Sequence, residues 1–240
     1  AKPSSPELVQ ICGATSGGTY FLLANAIAQM LNTSYPDYFK ASAQSTAGTP
    51  ANLRLMEEGD TDFAFGQAGV AAQAIAGEGS FEKKFTNFSS VTYVYPNVMQ
   101  IAVRKTSNIK SLADLKGKTF AVGATGSATE LNARDLAKAA GLSYEGNKDF
   151  IAEYTSEAQS AELMKNRQAD GANMIASLGS ASMMDLMSSG DVEIMSIPEN
   201  EMAEILKLNP AYFEYTIEKG TYPNQDYDAK TFAVANFIYC

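Results

Sequence analysis

The sequence contains no histidine and only two cysteines, and both shortages limit the chemistry available to the protein. Without histidine there is no Ser-His-Asp triad, no Cys-His pair and no His-ligated metal site. Cys12 and Cys240 lie at opposite ends of the chain, too sparse for a disulfide scaffold and unlike any zinc spacing. We expect Cys12 to be a small buried strand residue, with a Cys12–Cys240 disulfide as the alternative. The sequence predicts neither a metal site nor a cofactor.

Basic residues and long apolar runs are also scarce. Lys and Arg number 18 against 27 Asp and Glu, which gives a formal net charge of −9 at pH 7. A phosphate backbone would be repelled by this charge, and no basic patch is localised, so nucleic acid is excluded as a partner. No apolar run approaches the ~20 residues needed to span a bilayer, so we expect a soluble protein.

Both ends of the chain carry information about processing. The opening AKPSSPELVQ starts at Ala and has a Pro/Ser-rich lead, which fits a mature chain after signal-peptide removal and equally fits a recombinant product. The closing TFAVANFIYC is an apolar strand with nothing after it. We therefore expect the natural protein to continue past this end.

Short β-type runs alternate with longer helical runs almost throughout, which is typical of an α/β fold with largely parallel sheets. With 240 residues and 45% hydrophobic content, the chain has room for one or two domains. Strands are predicted at LVQIC, YFKASAQ, DFAFG, VTYVYPNVMQIAVR, TFAVGA, DFIAEYT, GANMIAS, VEIMSI and TFAVANFIYC. Helices are predicted at TYFLLANAIAQML, TPANLRLMEEG, SLADLKG, SATELNARDLAKAAG and EAQSAELMKNRQ, and in the Ala/Ser/Met run before VEIMSI. In TPANLRLMEEG, Thr49 is the expected N-cap, Pro50 the first helical residue and Gly59 the stop.

The two halves of the sequence repeat each other at a nearly constant offset. GATSG begins at Gly13 and GATGS begins at Gly123, while LMEEGDTDFAF, which begins at Leu55, is echoed by LMKNRQADGANM, which begins at Leu163. Each copy has the order strand, small-residue turn, helix, strand, helix, strand. The repeat predicts two similar α/β lobes.

Both small-residue turns are candidates for ligand binding. In open α/β sheets ligands bind beyond the carboxyl ends of the strands, where helices present free N–H groups. Glycine lets the backbone approach a ligand, and hydroxyls donate or accept. The first turn offers glycines and hydroxyls at Gly13, Gly17, Gly18, Thr15, Ser16 and Thr19. The alternative is structural, because Ser127-Ala-Thr-Glu130 has the spacing of a capping box.

The turns suit a small carboxylate better than a nucleotide. GATSGGT lacks the Lys of a P-loop, and neither turn has the GxGxxG spacing with an acidic residue about 20 positions on. Two matching turns in facing lobes would direct both helix starts into one cleft. A carboxylate needs only a few N–H and hydroxyl donors, so it is the expected ligand class.

Five blocks of sequence resemble, in order, those of the TAXI family of solute-binding proteins of TRAP transporters. The blocks are GATSGGTY, QSTAGTPANLRLMEEGDTDFAFGQAGVA, YPNVMQIAVR, IKSLADLKGKTFAVGATGSATELNAR and KGTYPNQDYDAKTFAVA. The chain departs from the family pattern at Ala128, and ASLGSAS lacks a proline often found there. The resemblance covers nearly the whole chain, and the family usually continues past this end.

The resemblance implies a type II periplasmic-binding-protein fold of the Venus-flytrap kind, with two α/β lobes joined by hinge strands. The first lobe would comprise 1–98 and 232–240 and the second lobe 99–231, with crossings near 95–101 and 231–237. The protein would be an extracytoplasmic, periplasmic, monomeric subunit that captures glutamate, glutamine or a related acid between the lobes and delivers it to TRAP membrane subunits. Ligand-binding residues would include Ser16, Tyr20, Asn52, Gln67, Gln100, Ser127 and Thr129, beside Thr15 and Gly17 of the first turn.

Most of these residues also have a structural interpretation. Tyr20 can be a core aromatic, Asn52 can cap the start of a helix, and Gln67 can cap a further helix predicted directly after the strand DFAFG. Arg54 is expected to pair with Glu57 or Glu58 on a solvated helix face, and Arg104, at a strand end, is a further candidate for the cleft.

Two other functions stay open at this point. The same fold can serve an ABC-type importer or a sensor. It can also carry an enzyme with Asp62, Asp170 or Glu130 as acid or base, although both aspartates lie where turn chemistry places them. We expect a binding protein and not an enzyme, because nothing spaces a carboxylate pair for catalysis.

Overall fold

The computed structural model describes residues 2–16 and 18–240, and these alternate strands with helices as predicted. The strands are β1 (Glu7–Cys12), β2 (Phe39–Gln44), β3 (Phe63–Gln67), β4 (Ser90–Arg104), β5 (Thr119–Ala121), β6 (Ile151–Glu153), β7 (Gly171–Ala176), β8 (Val192–Ile194), β9 (Tyr212–Ile217) and β10 (Ala229–Tyr239). The α-helices are α1 (Thr19–Ser34), α2 (Thr49–Glu58), α3 (Ala68–Ala76), α4 (Ala128–Ala139), α5 (Glu157–Lys165), α6 (Ala181–Ser188) and α7 (Glu199–Leu208). The predicted α/β class is confirmed.

Two elements were not predicted from sequence, and one predicted helix is shorter than expected. Helix α7 and strand β9 were missed, although α7 has acidic residues in its first turn and Lys207 in its last. The predicted helix SLADLKG forms only a 3-10 turn, Leu112–Leu115, closed at its start by a capping box between Ser111 and Asp114.

The chain divides into two compact units. The first unit comprises the residues up to Tyr95 together with Ala235–Cys240, and the second comprises Pro96–Val234. The chain therefore passes between the units twice, once within β4 and once within β10. The boundaries expected from sequence, after residues 98 and 231, each lie three residues from these crossings.

The sheet of the first unit runs in the order β2-β1-β3-β10. Strand β1 is parallel to β2 and to β3, and β10 is antiparallel to β3. On α1, Tyr20, Ala24 and Ala28 follow a four-residue spacing and are buried against this sheet, where Ile11 and Phe65 are fully covered. The apolar stripe of α1 is thus what fixes the helix to the sheet.

The second unit repeats this arrangement. Its central strands run β6-β5-β7-β4, with β5 parallel to β6 and β7 and with β4 antiparallel to β7. Strand β8 adds to β4, and β9 adds to β10. The repeat predicted from sequence is therefore a repeat of topology. In each unit the carboxyl ends of three parallel strands meet at one edge.

A glycine begins the turn after the central strand of each unit. A Cβ at Gly13 would lie 2.8 Å from the Cα of Phe21, and one at Gly123 would lie 2.8 Å from the Cβ of Thr129. Gly123 also has a φ of 102°, which L side chains rarely adopt. Glycine at these positions lets each helix start close against its strand.

The start of α2 corrects one sequence expectation. Gly48, not Thr49, is the N-cap, and Thr49 is the first helical residue, followed by Pro50. The Thr49 Oγ1 accepts a hydrogen bond from the backbone N–H of Gln67 at 3.2 Å instead of capping α2. The predicted end of the helix at Gly59 is correct, with a left-handed φ of 78°.

The environment of Arg54 corrects a second expectation. Its guanidinium donates to the carbonyl of Ser80 at 2.8 Å and lies over the ring of Phe81, 5.2 Å from the centroid. Glu57, one of its expected partners, instead accepts from the backbone N–H groups of Thr86 and Asn87. Arg54 therefore holds the segment after α3 against α2. The i,i+3 spacing of Arg54 and Glu57 in the sequence did not indicate this contact.

The two cysteines are free thiols in the described structure, so the alternative of a Cys12–Cys240 disulfide is wrong. Cys12 is fully buried at the end of β1, as expected, and Cys240 is exposed. Burial raises the pKa of the Cys12 thiol, against the hydrogen bond with Thr61. In the described residues, no helix has the length and apolarity required to cross a membrane.

Candidate functional site

The first candidate site lies at the carboxyl end of β1, in the Gly13 turn (residues 13–18). Thr15 is half-buried and Ser16 is exposed there, while Gly17 lies outside the described residues. Gly18 is the N-cap of α1 and supplies no side chain to cap it. The first N–H groups of α1 are the kind of donors that bind anions at helix starts.

Asn52 lies directly beneath this turn and is fully buried. Its Nδ2 donates to the carbonyls of Gly13 (2.7 Å) and Phe65 (2.8 Å), and its Oδ1 accepts from the Thr46 hydroxyl at 2.6 Å. Because both N–H groups are used within the protein, the carboxamide holds the turn to the end of β3. Asn52 does not cap α2, and any direct contact with a ligand stays a prediction.

Tyr20 and Gln67 are brought together by a residue that the sequence analysis missed, Asn236. The Tyr20 hydroxyl donates to Asn236 Oδ1 at 2.5 Å. Asn236 is paired with Gln67 across β10 and β3, so their side chains share one face of the sheet. Asn236 Nδ2 is buried and has no hydrogen-bond partner among the described residues. The signal in the sequence was a polar residue inside the apolar run FAVANFIY.

Tyr20 combines the two roles considered from sequence. Its ring stacks on Phe65, with centroids 5.4 Å apart, so it is a core aromatic. Its hydroxyl is a donor in the polar group with Asn236. Burial, with a smaller contribution from Tyr95, raises the pKa of Tyr20 well above its ordinary value, so the phenol keeps its proton at any physiological pH.

The second candidate site lies at the carboxyl end of β5, in the Gly123 turn (residues 123–127). Ser127 caps α4 by accepting from the backbone N–H of Glu130 at 3.1 Å. Two residues after Ser127, the backbone carbonyl of Thr129 accepts a hydrogen bond from Asn173 Nδ2 at 2.8 Å. An accepting hydroxyl still has a hydrogen to donate, so Ser127 can cap the helix and bind an acceptor together.

Glu130 does not complete the predicted capping box. Its carboxylate turns away from Ser127 and accepts from Arg134 Nε (2.7 Å) and from the Tyr144 hydroxyl (2.8 Å). This geometry stabilises α4 through an i,i+4 ion pair rather than through a reciprocal cap.

Gln100 forms a buried polar group with Tyr222, which the sequence analysis did not single out. Gln100 Oε1 accepts from the Tyr222 hydroxyl, and its Nε2 donates to the carbonyl of Ala176 at 3.3 Å. The Tyr222 oxygen in turn accepts from the backbone N–H of Gly179 at 2.8 Å. Burial raises the pKa of Tyr222 to about 12. Through these hydrogen bonds, Tyr222 links Gly179, in the segment after β7, to Gln100 of β4. The link lies at the same edge of the sheet as the Gly123 turn.

Glu157 adds a carboxyl to this edge. It is the first residue of α5, after a capping box between Ser156 and Gln159. Its Oε1 lies 3.3 Å from the hydroxyl of Ser180, the N-cap of α6. Burial raises the pKa of Glu157 to about 7, against the hydrogen bond from Ser180. Nothing in the sequence indicated this role, because the S-x-x-Q spacing predicts only a helix start.

The other charged candidates are engaged structurally. Arg104 forms an ion pair with Asp170 at 2.7 Å and donates to the carbonyl of Ala169. Asp170 also accepts from the backbone N–H of Thr119, and Asp62 accepts from that of Gln10. Both aspartates lie between a helix and a strand, as expected, but their side chains bond to neighbouring strands rather than within the turn. Among the described residues, no group of three or more Cys, Asp or Glu side chains could hold a metal ion.

The two edges share most of their polar groups, and the second also carries the carboxyl of Glu157. Each places hydroxyls, carboxamides and helix-start N–H groups at the carboxyl ends of parallel strands, with the charged side chains of Arg104 and Asp170 paired elsewhere. Such groups can donate to the oxygens of a small solute without transferring protons.

Solved structures of binding proteins have the same fold. PhnD1 of Prochlorococcus marinus (MIT 9301), solved with methylphosphonate, is 13% identical with a TM-score of 0.63 over 98% of this chain and 77% of its own. The alkanesulfonate-binding protein SsuA of Xanthomonas axonopodis pv. citri, bound to MOPS, is 19% identical with a TM-score of 0.53 over 81% and 62%. A Listeria monocytogenes protein assigned as an L-cystine ABC transporter is 13% identical with a TM-score of 0.55 over 97% and 82%.

At these identities the likeness concerns the fold. The chain spans about three fifths of the length of the alkanesulfonate-binding protein. Residues 11–240, almost all of the chain, match the model of the NMT1-like family. The chain belongs to the NMT1-like family and has the α/β fold of periplasmic binding proteins.

Proposed function

We propose that the chain is an extracytoplasmic solute-binding protein, without catalytic activity, that captures a small acidic solute for a membrane importer. The observation that carries this proposal is the repeated arrangement in which a glycine-led turn follows the central parallel strand and opens a helix, once in each unit. Ligands of open α/β sheets bind at such edges. Membership of the NMT1-like family and the shared fold support it.

The comparisons favour an ABC-type importer as the partner. The Listeria monocytogenes protein of the same fold is assigned as an ABC transporter component. A TRAP transporter is the second candidate, and it depends on the TAXI-like blocks, such as GATSGGTY and KGTYPNQDYDAKTFAVA. The comparisons lend no support to TRAP membrane subunits or to glutamate as the ligand. Transport assays that pair the protein with membrane subunits of either class discriminate between the two.

The chemistry of the two edges fits an oxyanion. Carboxylate, sulfonate and phosphonate groups all accept several hydrogen bonds from N–H and O–H donors, which both edges supply. We propose as ligand-binding residues those expected from sequence, Thr15, Ser16, Gly17, Tyr20, Asn52, Gln67, Gln100, Ser127 and Thr129, and we add Asn236. Asn52 acts by holding the Gly13 turn in place.

Thermal unfolding in the presence of single solutes tests the function. The panel contains glutamate, glutamine, dicarboxylates, alkanesulfonates, alkylphosphonates and cystine. A ligand at a hundred times its Kd adds about 2.7 kcal/mol to the free energy of unfolding. At roughly 2–4 °C per kcal/mol for this chain length, the melting temperature should rise by about 5–11 °C.

A matched pair of variants separates site binding from general effects. Ser16 is exposed in the Gly13 turn, and Ser34 is exposed at the far end of α1. Ser16→Trp should abolish the shift, whereas Ser34→Trp should keep it. A flat panel on a cooperatively folding protein, or the appearance of a product from any solute, contradicts the proposal.

A further inference from the structure

A series of contacts leads from Gln100 through Tyr222 and the segment after β7 to the carboxyl of Glu157. Tyr222 bonds Gln100 and the backbone of Gly179, and the next residue, Ser180, donates to the carboxyl of Glu157. Helix α5 packs against α6 and β7, which brings the first residue of α5 to the same edge as the segment after β7. Glu157 is therefore part of the candidate site of the second unit, and it stays partly accessible to solvent.

Glu157 has no cationic partner among residues 2–16 and 18–240. Lys165, on the same helix, is paired with Glu162 and Asp185. It is eight residues along α5, about 12 Å at 1.5 Å per residue. The charged residue of α6, Asp185, is acidic, β7 carries none, and Tyr222 presents a phenol that is neutral at these pH values.

We propose, on the basis of the solute-binding function above, that Glu157 receives a cationic ammonium group of the ligand. The substrate class of the site is then amino-bearing acids, and simple oxyanions are rejected. The geometry allows this, because Glu157 has one oxygen bonded to the hydroxyl of Ser180, lies beside the neutral phenol of Tyr222 and forms no ion pair among the described residues.

The electrostatics explain the selection. Burying an ionised carboxylate without a counter-charge costs free energy, because the charge loses its hydration. Burial accordingly raises the pKa of Glu157 to about 7. An ammonium group beside it supplies the missing positive charge. A ligand with only an acidic group would add a second negative charge or force Glu157 to take up a proton.

Three pairs of probes, differing in the amino group, test this at pH 8: glutamate and glutarate, taurine and ethanesulfonate, aminomethylphosphonate and methylphosphonate. We expect the compound that binds most tightly to be the one with the amino group in its pair. Its Kd, measured by titration calorimetry, should be at least tenfold lower than that of the compound without the amino group. Glu157→Gln, a nearly isosteric change, should reduce that preference about tenfold or more.

Glu162→Gln is the control, because Glu162 is exposed on the same helix and its side chain bonds only to Lys165 among the described residues. It should keep the wild-type preference. A second readout uses the unmodified protein: affinity for the amino ligand should fall as the pH drops below about 7, where Glu157 is protonated. The Glu157→Gln variant should lose this dependence.

The possible failures are distinguishable. If amino and non-amino members bind equally, or if Glu157→Gln keeps the full preference, the role of Glu157 is wrong while the solute-binding function stands. If no probe of any pair binds to cooperatively folded protein, the solute-binding function as stated fails and the role of Glu157 with it.

Discussion

Two buried asparagines of the first unit use their carboxamides in different ways. Asn52 donates both N–H groups to the carbonyls of Gly13 and Phe65 and accepts from Thr46. Asn236 accepts from Tyr20, and its Nδ2 has no partner among the described residues. A buried donor left unpaired is unfavourable for folding, whereas a ligand oxygen would satisfy it. Asn52 thus has the contacts of a structural residue, whereas the unpaired donor of Asn236 supports its proposed role in binding.

Replacement of Asn52 tests this distinction at the residue scale. Asn52→Ala removes the donors to the carbonyls of Gly13 and Phe65 in a fully buried place, although the Thr46 hydroxyl still lies 3.2 Å from the Gly13 carbonyl. We expect the free energy of unfolding to fall by about 2–4 kcal/mol, measured by urea denaturation.

The control is Asn25→Ala. Asn25 is exposed on α1 and bonds only locally, to the carbonyl of Phe21. Its loss should change stability by no more than about 0.5 kcal/mol. A loss of no more than about 0.5 kcal/mol for Asn52→Ala as well would show that the hydrogen bonds of Asn52 contribute little to the stability of the fold.

At the scale of elements, Asp170 joins three strands at the start of β7. Its carboxylate accepts from Arg104 at the end of β4 (2.7 Å) and from the backbone N–H of Thr119 at the start of β5 (3.0 Å). Its own N–H donates to the carbonyl of Thr119 at 2.7 Å. The side chain therefore fixes the relative positions of strands that are far apart in sequence.

The pKa of Asp170 makes this junction pH-dependent. Partial burial alone would raise the pKa, but the Thr119 N–H and the Arg104 guanidinium outweigh it, and the pKa lies below its ordinary value of 3.8. Because the folded protein holds the ionised form more strongly than the unfolded chain does, the carboxylate stabilises the fold above pH 3.8. That stabilisation is lost as the pH falls through the depressed folded-state pKa.

Asp170→Asn is the corresponding variant. We expect it to lower the free energy of unfolding by about 1–3 kcal/mol at pH 7, since Arg104 loses its counter-charge. The difference from wild type should shrink as the pH is lowered below 3.8. A difference that is constant between pH 7 and pH 3 in denaturation experiments would contradict the assignment of this effect to the ionised carboxylate.

For the whole molecule, the net charge of −9 sets the response to salt. Excess charge of one sign repels itself in the compact state. The ion pairs Lys2–Asp37 and Lys207–Glu204 have side chains more than half exposed, and such pairs contribute little stability that salt could remove.

Raising NaCl from 10 to 300 mM should therefore stabilise the protein at pH 7. Screening of the net repulsion outweighs the weakening of the exposed pairs, and we expect the melting temperature to rise by about 2–4 °C, equivalent to ~1 kcal/mol. Calorimetry at pH 4.6, the isoelectric point of the sequence, is the control, since the effect should nearly vanish there. A fall in melting temperature at pH 7 would mean that the ion pairs matter more than the net charge.

The sequence by itself determined the local features of this protein. Hydrophobic periodicity decides whether a segment is a strand or a helix, so the alternation of elements and the repeat that starts at Gly13 and again at Gly123 were readable. Glycine is required at those two positions, because a Cβ there would clash with the helix that follows. The spacing between Ser127 and Glu130 predicted that Ser127 caps α4. The TAXI-like blocks indicated a binding-protein fold, which the solved structures share.

The tertiary structure alone decided which polar groups meet. Tyr20 and Asn236 are 216 residues apart, Gln100 and Tyr222 are 122 apart, and nothing local in the chain specifies either hydrogen bond. The same holds for Glu157, whose S-x-x-Q context indicates a helix start while its pKa depends on burial beside Ser180. Partners of this kind are chosen by the packing of distant elements, because a buried polar group bonds to whatever the fold places within about 3 Å of it.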